Sequence, residues 1–244
     1  MCGIAGLISL SNKPVPPAAL RRMCDIQAHR GPDDAGYVYF RVGPEGRSYW
    51  VQFTEPEFKY RNEHMPVMGG AYFQDEIGRT DFSLAFGHRR LSIIDLSHKG
   101  HQPMPSADRR CWVTFNGEIY NYPELRDELQ GKGCHFRTRS DTEVLLHLWE
   151  EEGVASLARF NGMFAFAMFD RTDQSVTLVR DRFGVKPLYY AATKDFLLFA
   201  SEPKAILASG LLDRSIDPGA LVEYFTFQNK TRRTFIRTVH SKFI

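Results

Sequence analysis

The chain has 244 residues, 43% hydrophobic and 13% aromatic, enough to bury one substantial core and to form one large domain or two small ones. Its 31 lysines and arginines against 29 aspartates and glutamates leave a formal charge of +2, too balanced for the cationic field that a nucleic-acid or anionic-membrane partner requires. The longest apolar run, near Met163 to Phe169, is far short of the ~20 residues that cross a bilayer, and no basic stretch with an apolar core opens the chain, so a cytoplasmic protein is expected.

Ile4 to Leu10 reads as a short buried strand, after which Pro16-Pro17 opens a helix whose apolar residues Leu20, Met23 and Ile26 recur every three positions. His29 to Asp33 is a turn and Tyr37 to Phe40 a second strand. From Gly43 to Thr80 the pattern dissolves into glycine, proline, charge and scattered aromatics, which reads as a long insertion. Such a loop is expected to fold as a lid or to bind a partner, and its aromatics favour packed contact over free disorder. Strands are predicted at Phe82 to Phe86 and Cys111 to Phe115, with a helix from Pro123 to Gln130. Ser140-Asp141-Thr142-Glu143 has capping-box spacing and precedes Val144, Leu145 and Leu148, so Asp141 falls in the first turn of a helix.

Met163 to Phe169 alternates with Phe164, Phe166 and Met168 on one face and Met163, Ala165, Ala167 and Phe169 on the other. Both faces are apolar, so this strand needs cover on both sides. Strands at Ser175 to Val179, Leu188 to Ala192 and Phe196 to Ala200, joined by short polar turns, suit antiparallel neighbours. Helices follow at about Glu202 to Ala208 and Pro218 to Phe225. Two antiparallel sheets packed face to face, each covered outside by helices, satisfy these patterns together: an α+β chain.

Four cysteines, Cys2, Cys24, Cys111 and Cys134, lack C-x-x-C spacing, so neither a zinc site nor a dense disulfide framework is expected, and reduced thiols are. His98 and His101 have no convincing third ligand beside His88 and read as loop residues, with no metal site. Met1-Cys2-Gly3 is a stronger clue: it is either a chance Cys beside a Gly or, since a small second residue favours removal of Met1, a residue left with both a thiol and a free α-amine. Such an amine, of ordinary pKa about 8, can accept the thiol proton.

In Thr114-Phe115-Asn116-Gly117-Glu118 an apolar strand ends in Asn-Gly, which is either an ordinary tight turn or an oxyanion hole made of an amide NH2 and a backbone N–H. Arg90 precedes the strand-like segment Leu91 to Ile94. It is either a solvated surface arginine or a bidentate partner for an α-carboxylate. Asp141 is either a helix N-terminal charge or the partner of a substrate ammonium.

Taken together, MCGIAG, HRGPDDAGY, HRRLSIID, FNGEIYN, RSDTEVL, LARFNGMFAFAMFD and RDRFGVKPLYY, in order across residues 2 to about 210, resemble the glutaminase domain of class II glutamine amidotransferases, and most closely the asparagine synthetase branch. The resemblance implies a four-layer α/β/β/α sandwich, the N-terminal nucleophile hydrolase fold. It implies Cys2 as nucleophile, and the Asn116 side chain and Gly117 N–H as oxyanion hole. Arg90 would take the α-carboxylate of L-glutamine, Leu91, Ser92, Ile93 and Ile94 would line the pocket, and Glu118 with Asp141 would receive the α-ammonium. The His29 to Asp33 turn and the Arg180 to Pro187 segment are expected to be scaffold or domain interface.

The implied reaction is hydrolysis of glutamine to glutamate and ammonia, the ammonia serving amidation of aspartate to asparagine. The alternatives are another acceptor carboxylate such as a sugar acid, or a glutamine-binding remnant without turnover. No Ser-Gly-Gly-x-Asp-Ser pyrophosphate loop occurs, so no cofactor is expected in this chain, and ATP and Mg are expected only in a synthetase domain or subunit that accepts the ammonia. A homodimer is a further assembly option. Residues 1–210 read as the glutaminase domain, 211–228 as the start of a linker, and 229–244 as a divergent, disordered basic tail.

Overall fold

The computed structural model describes residues 1–43, 48–55, 57–58, 65–79, 81–216 and 218–227. In chain order its strands are β1 (Gly3–Ser9), β2 (Asp34–Val42), β3 (Ser48–Thr54), β4 (Leu84–Arg90), β5 (Met104–Pro105), β6 (Cys111–Ile119), β7 (Gly162–Asp170), β8 (Ser175–Arg180), β9 (Tyr189–Ala192) and β10 (Phe196–Ala200). Its helices are α1 (Pro17–Asp25), α2 (Ala71–Arg79), α3 (Tyr122–Gly131), α4 (Asp141–Glu152), α5 (Pro203–Ala208) and α6 (Pro218–Phe227). The tail, residues 229–244, lies outside the described residues.

The strands form a six-stranded sheet in the order β3-β2-β4-β1-β10-β9 and a four-stranded sheet in the order β5-β6-β7-β8, and every paired strand is antiparallel. Strand β7 dictates how they stack. Phe164, Phe166 and Met168 join the apolar cluster under α3 and α4, whereas Ala165, Ala167 and Phe169 join the cluster between the sheets with Ile4, Phe40, Phe86 and Trp112. A third cluster, including Leu20, Met23, Tyr39, Phe53 and Ile206, lies between the large sheet and α1, α2 and α5. The result is the expected four-layer α/β/β/α sandwich.

Three local readings are corrected. Strand β6 does not end in a tight turn at Asn116-Gly117: it runs to Ile119, with Asn116 opposite Ala165 and Gly117 opposite Phe164. The long apolar partner β7 keeps the ladder going past a dipeptide that by itself signals reversal. Conversely, Leu91 to Ile94 is loop, because β4 ends at Arg90. The expected capping box forms only in its first half. Ser140 accepts from the Thr142 N–H (3.1 Å), but the Glu143 carboxylate turns back to the N–H groups of Arg137 and Thr138.

The presumed insertion also holds structure of its own. Strand β3 extends the large sheet beside β2, and α2 lays Phe73 edge-on against Phe53, ring centroids 5.0 Å apart. Val51, Phe53 and Phe73 thus pack on the outer face of the sheet, Trp50 turns the other way to meet Trp112 between the sheets (4.8 Å), and none of the described residues of this segment lines the main cleft. The aromatics found their packed contact.

Phe166 is wholly buried and meets Trp149 of α4 at 5.8 Å, whereas Phe183 is 88% exposed. Phe166→Ala is expected to cost about 3–5 kcal/mol in urea denaturation and Phe183→Ala less than about 0.5 kcal/mol. Equal effects would contradict the burial of Phe166 under α4.

Candidate active site

Cys2 stands one residue before β1, a central strand of the large sheet. Several contacts pin this end of the chain. The Arg30 Nε donates to the Cys2 carbonyl at 2.9 Å, and the Ile4 N–H donates to Ser201 Oγ at 3.0 Å. Arg30 is itself fixed by Glu202 (3.0 Å), and Asp33 accepts from the Ser92 N–H (2.8 Å), tying the turn to the loop after β4. The Cys2 Sγ accepts from the Leu91 N–H at 3.4 Å.

Burial pushes the Cys2 thiol above its ordinary pKa, and the Leu91 N–H opposes this. At neutral pH the resting sulfur is therefore a thiol, so nucleophilic use of it needs an adjacent proton acceptor. Burial, with Arg30 and Lys186 nearby, lowers the pKa of the terminal ammonium, which here belongs to Met1.

Next to the sulfur opens a cleft of about 300 Å³, at the small end of the range for small-molecule sites. Every residue given a nucleophile, oxyanion-hole or substrate-binding role from the sequence lines it: Cys2, Arg90, Leu91 to Ile94, Asn116 to Glu118, and Asp141. They come from the residue before β1, the end of β4 and its loop, the far end of β6, and the start of α4.

Their electrostatics differ along the cleft. Asn116 is 1% exposed, yet its Nδ2 has no hydrogen-bond partner among the described residues, an unpaired donor beside the thiol. Gly117 admits no side chain, since a Cβ there would stand 2.6 Å from both the Met163 carbonyl oxygen and Phe164 Cβ. The Arg90 guanidinium donates to the Ser97 carbonyl (2.9 Å) and to that of Asp95, which bends the loop around it, and among the described residues its other N–H groups make no hydrogen bond. Gly100 makes room for that guanidinium, because a Cβ would lie 2.1 Å from its nearer nitrogen.

Asp141 accepts from the Ile119 N–H (3.0 Å), but burial dominates and raises its pKa to about 6; its charged neighbour is another acid, Glu118. Such a carboxylate is suited to a cationic ligand. A thiol, orphaned amide donors, a guanidinium and two acids in one small cleft match an amino-acid zwitterion that carries an electrophilic carbonyl.

Sequence reasoning missed Lys186, Gln102 and Thr142 as lining residues, and gave Arg30 and Asp33 only a general scaffold role. The motifs HRGPDDAGY and RDRFGVKPLYY were the available signals. His101 is not merely a loop residue: it is buried, with Nδ1 2.7 Å from Asp34 Oδ2. All four cysteines are free, and among the described residues no group of His, Cys, Asp or Glu is placed to hold a metal. No helix of the described residues is long and apolar enough to cross a membrane.

The layered sheets and the position of the thiol define the fold of the N-terminal nucleophile hydrolases. Glutamine phosphoribosylpyrophosphate amidotransferase from B. subtilis shares it, with a TM-score of 0.67 and 23% identity over 89% of this chain and 46% of that one. Residues 72–243 match the glutamine amidotransferase domain, and the chain belongs to that family. Among curated relatives, asparagine synthetase [glutamine-hydrolyzing] 1 of Bacillus subtilis is 36% identical over 231 residues, 93% of this chain and 30% of that protein. A putative asparagine synthetase [glutamine-hydrolyzing] 1 of Methanocaldococcus jannaschii is 37% identical over 206 residues, 84% of this chain and 33% of that protein. The chain thus spans about a third of the length of these relatives.

Raising the Asp141 pKa from 3.8 to about 6 means that folding favours its neutral form. The stability this contributes is full below the unfolded value and is lost as pH rises through about 6. Asp141→Asn abolishes the titration, so the stability of the variant relative to the parent should climb by about 3 kcal/mol across that window. A difference independent of pH in denaturant titrations would refute the assignment.

Proposed function

We propose that this chain is the glutaminase unit of an asparagine-synthetase-type amidotransferase, hydrolysing L-glutamine to L-glutamate and ammonia through Cys2. The observation that carries the reading is one cleft shared by the Cys2 thiol, the unpaired Asn116 amide, Arg90 and the buried Asp141. The unit is assigned to residues 1–210, with 211–228 leading into a linker.

With Met1 removed, the α-amine of Cys2 takes the thiol proton, and Sγ attacks the side-chain carboxamide carbon of glutamine. The oxyanion that forms accepts hydrogen bonds from Asn116 Nδ2 and the Gly117 N–H. Collapse breaks the C–N bond as the amine returns its proton to the leaving group, which departs as ammonia and leaves a γ-glutamyl thioester. Water then attacks the thioester with the same amine as base, and glutamate leaves.

Arg90 pairs with the α-carboxylate and Asp141 with Glu118 takes the α-ammonium, so glutamine is gripped at the end remote from the reacting bond. The ammonia serves amidation of aspartate by a synthetase unit beyond this domain, and ATP and Mg belong there. The family match and the two synthetase relatives support this reading.

Intact mass and glutamate formation, measured on one sample, test it. Met1 should be missing and Cys2→Ala should abolish turnover. Asn116→Ala should lower kcat by roughly 10²–10³, and Arg90→Ala should chiefly raise KM. Equal turnover in the parent and in the Cys2 and Asn116 variants would remove the reading. Because Asp141 must be charged to meet an ammonium, KM for glutamine should rise as pH falls through about 6, and a flat KM across that value would count against the residue's role.

A further inference from the structure

One cation in the cleft has no task in the mechanism above. Lys186 lines the cleft together with Cys2 and is only 6% exposed. Lysine is seldom buried without a partner, yet among the described residues the hydrogen bonds of Lys186 are made by its backbone. Its N–H donates to Asp181 Oδ2 (3.0 Å) and its carbonyl accepts from Arg180 Nε (2.9 Å).

The loop that presents it is tightly built. Asp181 also accepts from the N–H groups of Phe183 (3.1 Å), Val185 (2.9 Å) and Phe164 (3.2 Å), and Arg180 donates again to the Gly184 carbonyl (2.6 Å). A single carboxylate thus moors the loop to β7, the strand that backs the cleft. The neighbouring cation, Arg30, is by contrast committed to Glu202 and to the Cys2 carbonyl.

Resting on the glutaminase reading, we propose that Lys186 is a positioning residue of the reaction centre, a fixed cation that keeps the Cys2 α-amine in its base form and favours the thiolate. The coupling runs both ways: with Met1 in place, burial first, then Arg30 and Lys186, depress the Met1 ammonium next to Cys2 against the Cys2 thiolate and Asp33, and Cys2, Glu118 and Asp181 raise Lys186 against the larger effect of its burial and of Arg30. An uncharged side chain there would let the amine hold its proton to higher pH and make the thiolate harder to form. Both changes move the acid limb of the reaction upward.

The test uses protein with Met1 removed, as the parent, Lys186→Met and Lys186→Arg. The rate of Cys2 alkylation by iodoacetamide, read by peptide mass spectrometry without glutamine, and kcat/KM for glutaminase are followed from about pH 6 to about pH 9. In Lys186→Met both acid limbs should shift up by roughly one pH unit and activity should recover at high pH, while Lys186→Arg follows the parent. Lys186→Gln repeats the measurement if the methionine variant does not fold. Superimposed profiles, or a loss equal at every pH, would overturn the proposal while leaving the glutaminase reading intact. Equal turnover by the parent and Cys2→Ala would instead strike the glutaminase reading itself.

Discussion

Through one guanidinium, that of Arg30, the first residues of the chain are tied to the body of the fold: it holds the Cys2 carbonyl at 2.9 Å and Glu202 at 3.0 Å. Chain ends ordinarily fray. A nucleophile that carries its own base on its backbone nitrogen tolerates no fraying, since a misplacement of ~1 Å can cost ~10²-fold in rate. The contacts of Ile4 with Ser201 and Gln27 extend the same anchoring one strand position inward. Antiparallel pairing of β1 with β4 then sets the sulfur beside the Leu91 N–H, and β4 delivers Arg90 at its own end.

With the terminus fixed, the cleft is defined by groups left unsatisfied. Asn116 Nδ2 has no described partner, Asp141 is buried next to another acid, and Lys186 is buried with hydrogen bonds, among the described residues, from its backbone alone. Each is a cost to folding. Their gathering in one cleft is the pattern expected where stability is given up for binding and chemistry. The apolar backing makes this tolerable. Phe115, Phe164 and Phe166 pack behind the site with α3 and α4, so the polar groups sit on a rigid wall.

The sandwich was legible in residues whose pattern alone demands it. Seven alternating apolar side chains in Met163 to Phe169 require cover on both faces, and the short polar turns after Asp170 require antiparallel neighbours. Reading failed where a local signal met a distant partner. Asn116-Gly117 says turn until β7 is laid alongside it, and Val51, Phe53 and Phe73 form no readable period because they meet only when β3 joins the sheet edge. The site was legible differently. Cys2, Arg90, Asn116 and Asp141 are each ordinary alone, and what linked them was family resemblance, with no periodicity to do so. Lys186 escaped notice because its distinguishing property, a desolvated charge, exists only once the loop held by Asp181 has folded.

The central claim is that one residue supplies both the sulfur that attacks and the nitrogen that takes its proton. Acid-quenching the protein during turnover of glutamine and mapping the covalent adduct tests it most directly. The account predicts a γ-glutamyl group on the sulfur of an N-terminal Cys2 peptide that lacks Met1. Glutamate production by protein that still carries Met1, or an acyl group on any other residue, would contradict it.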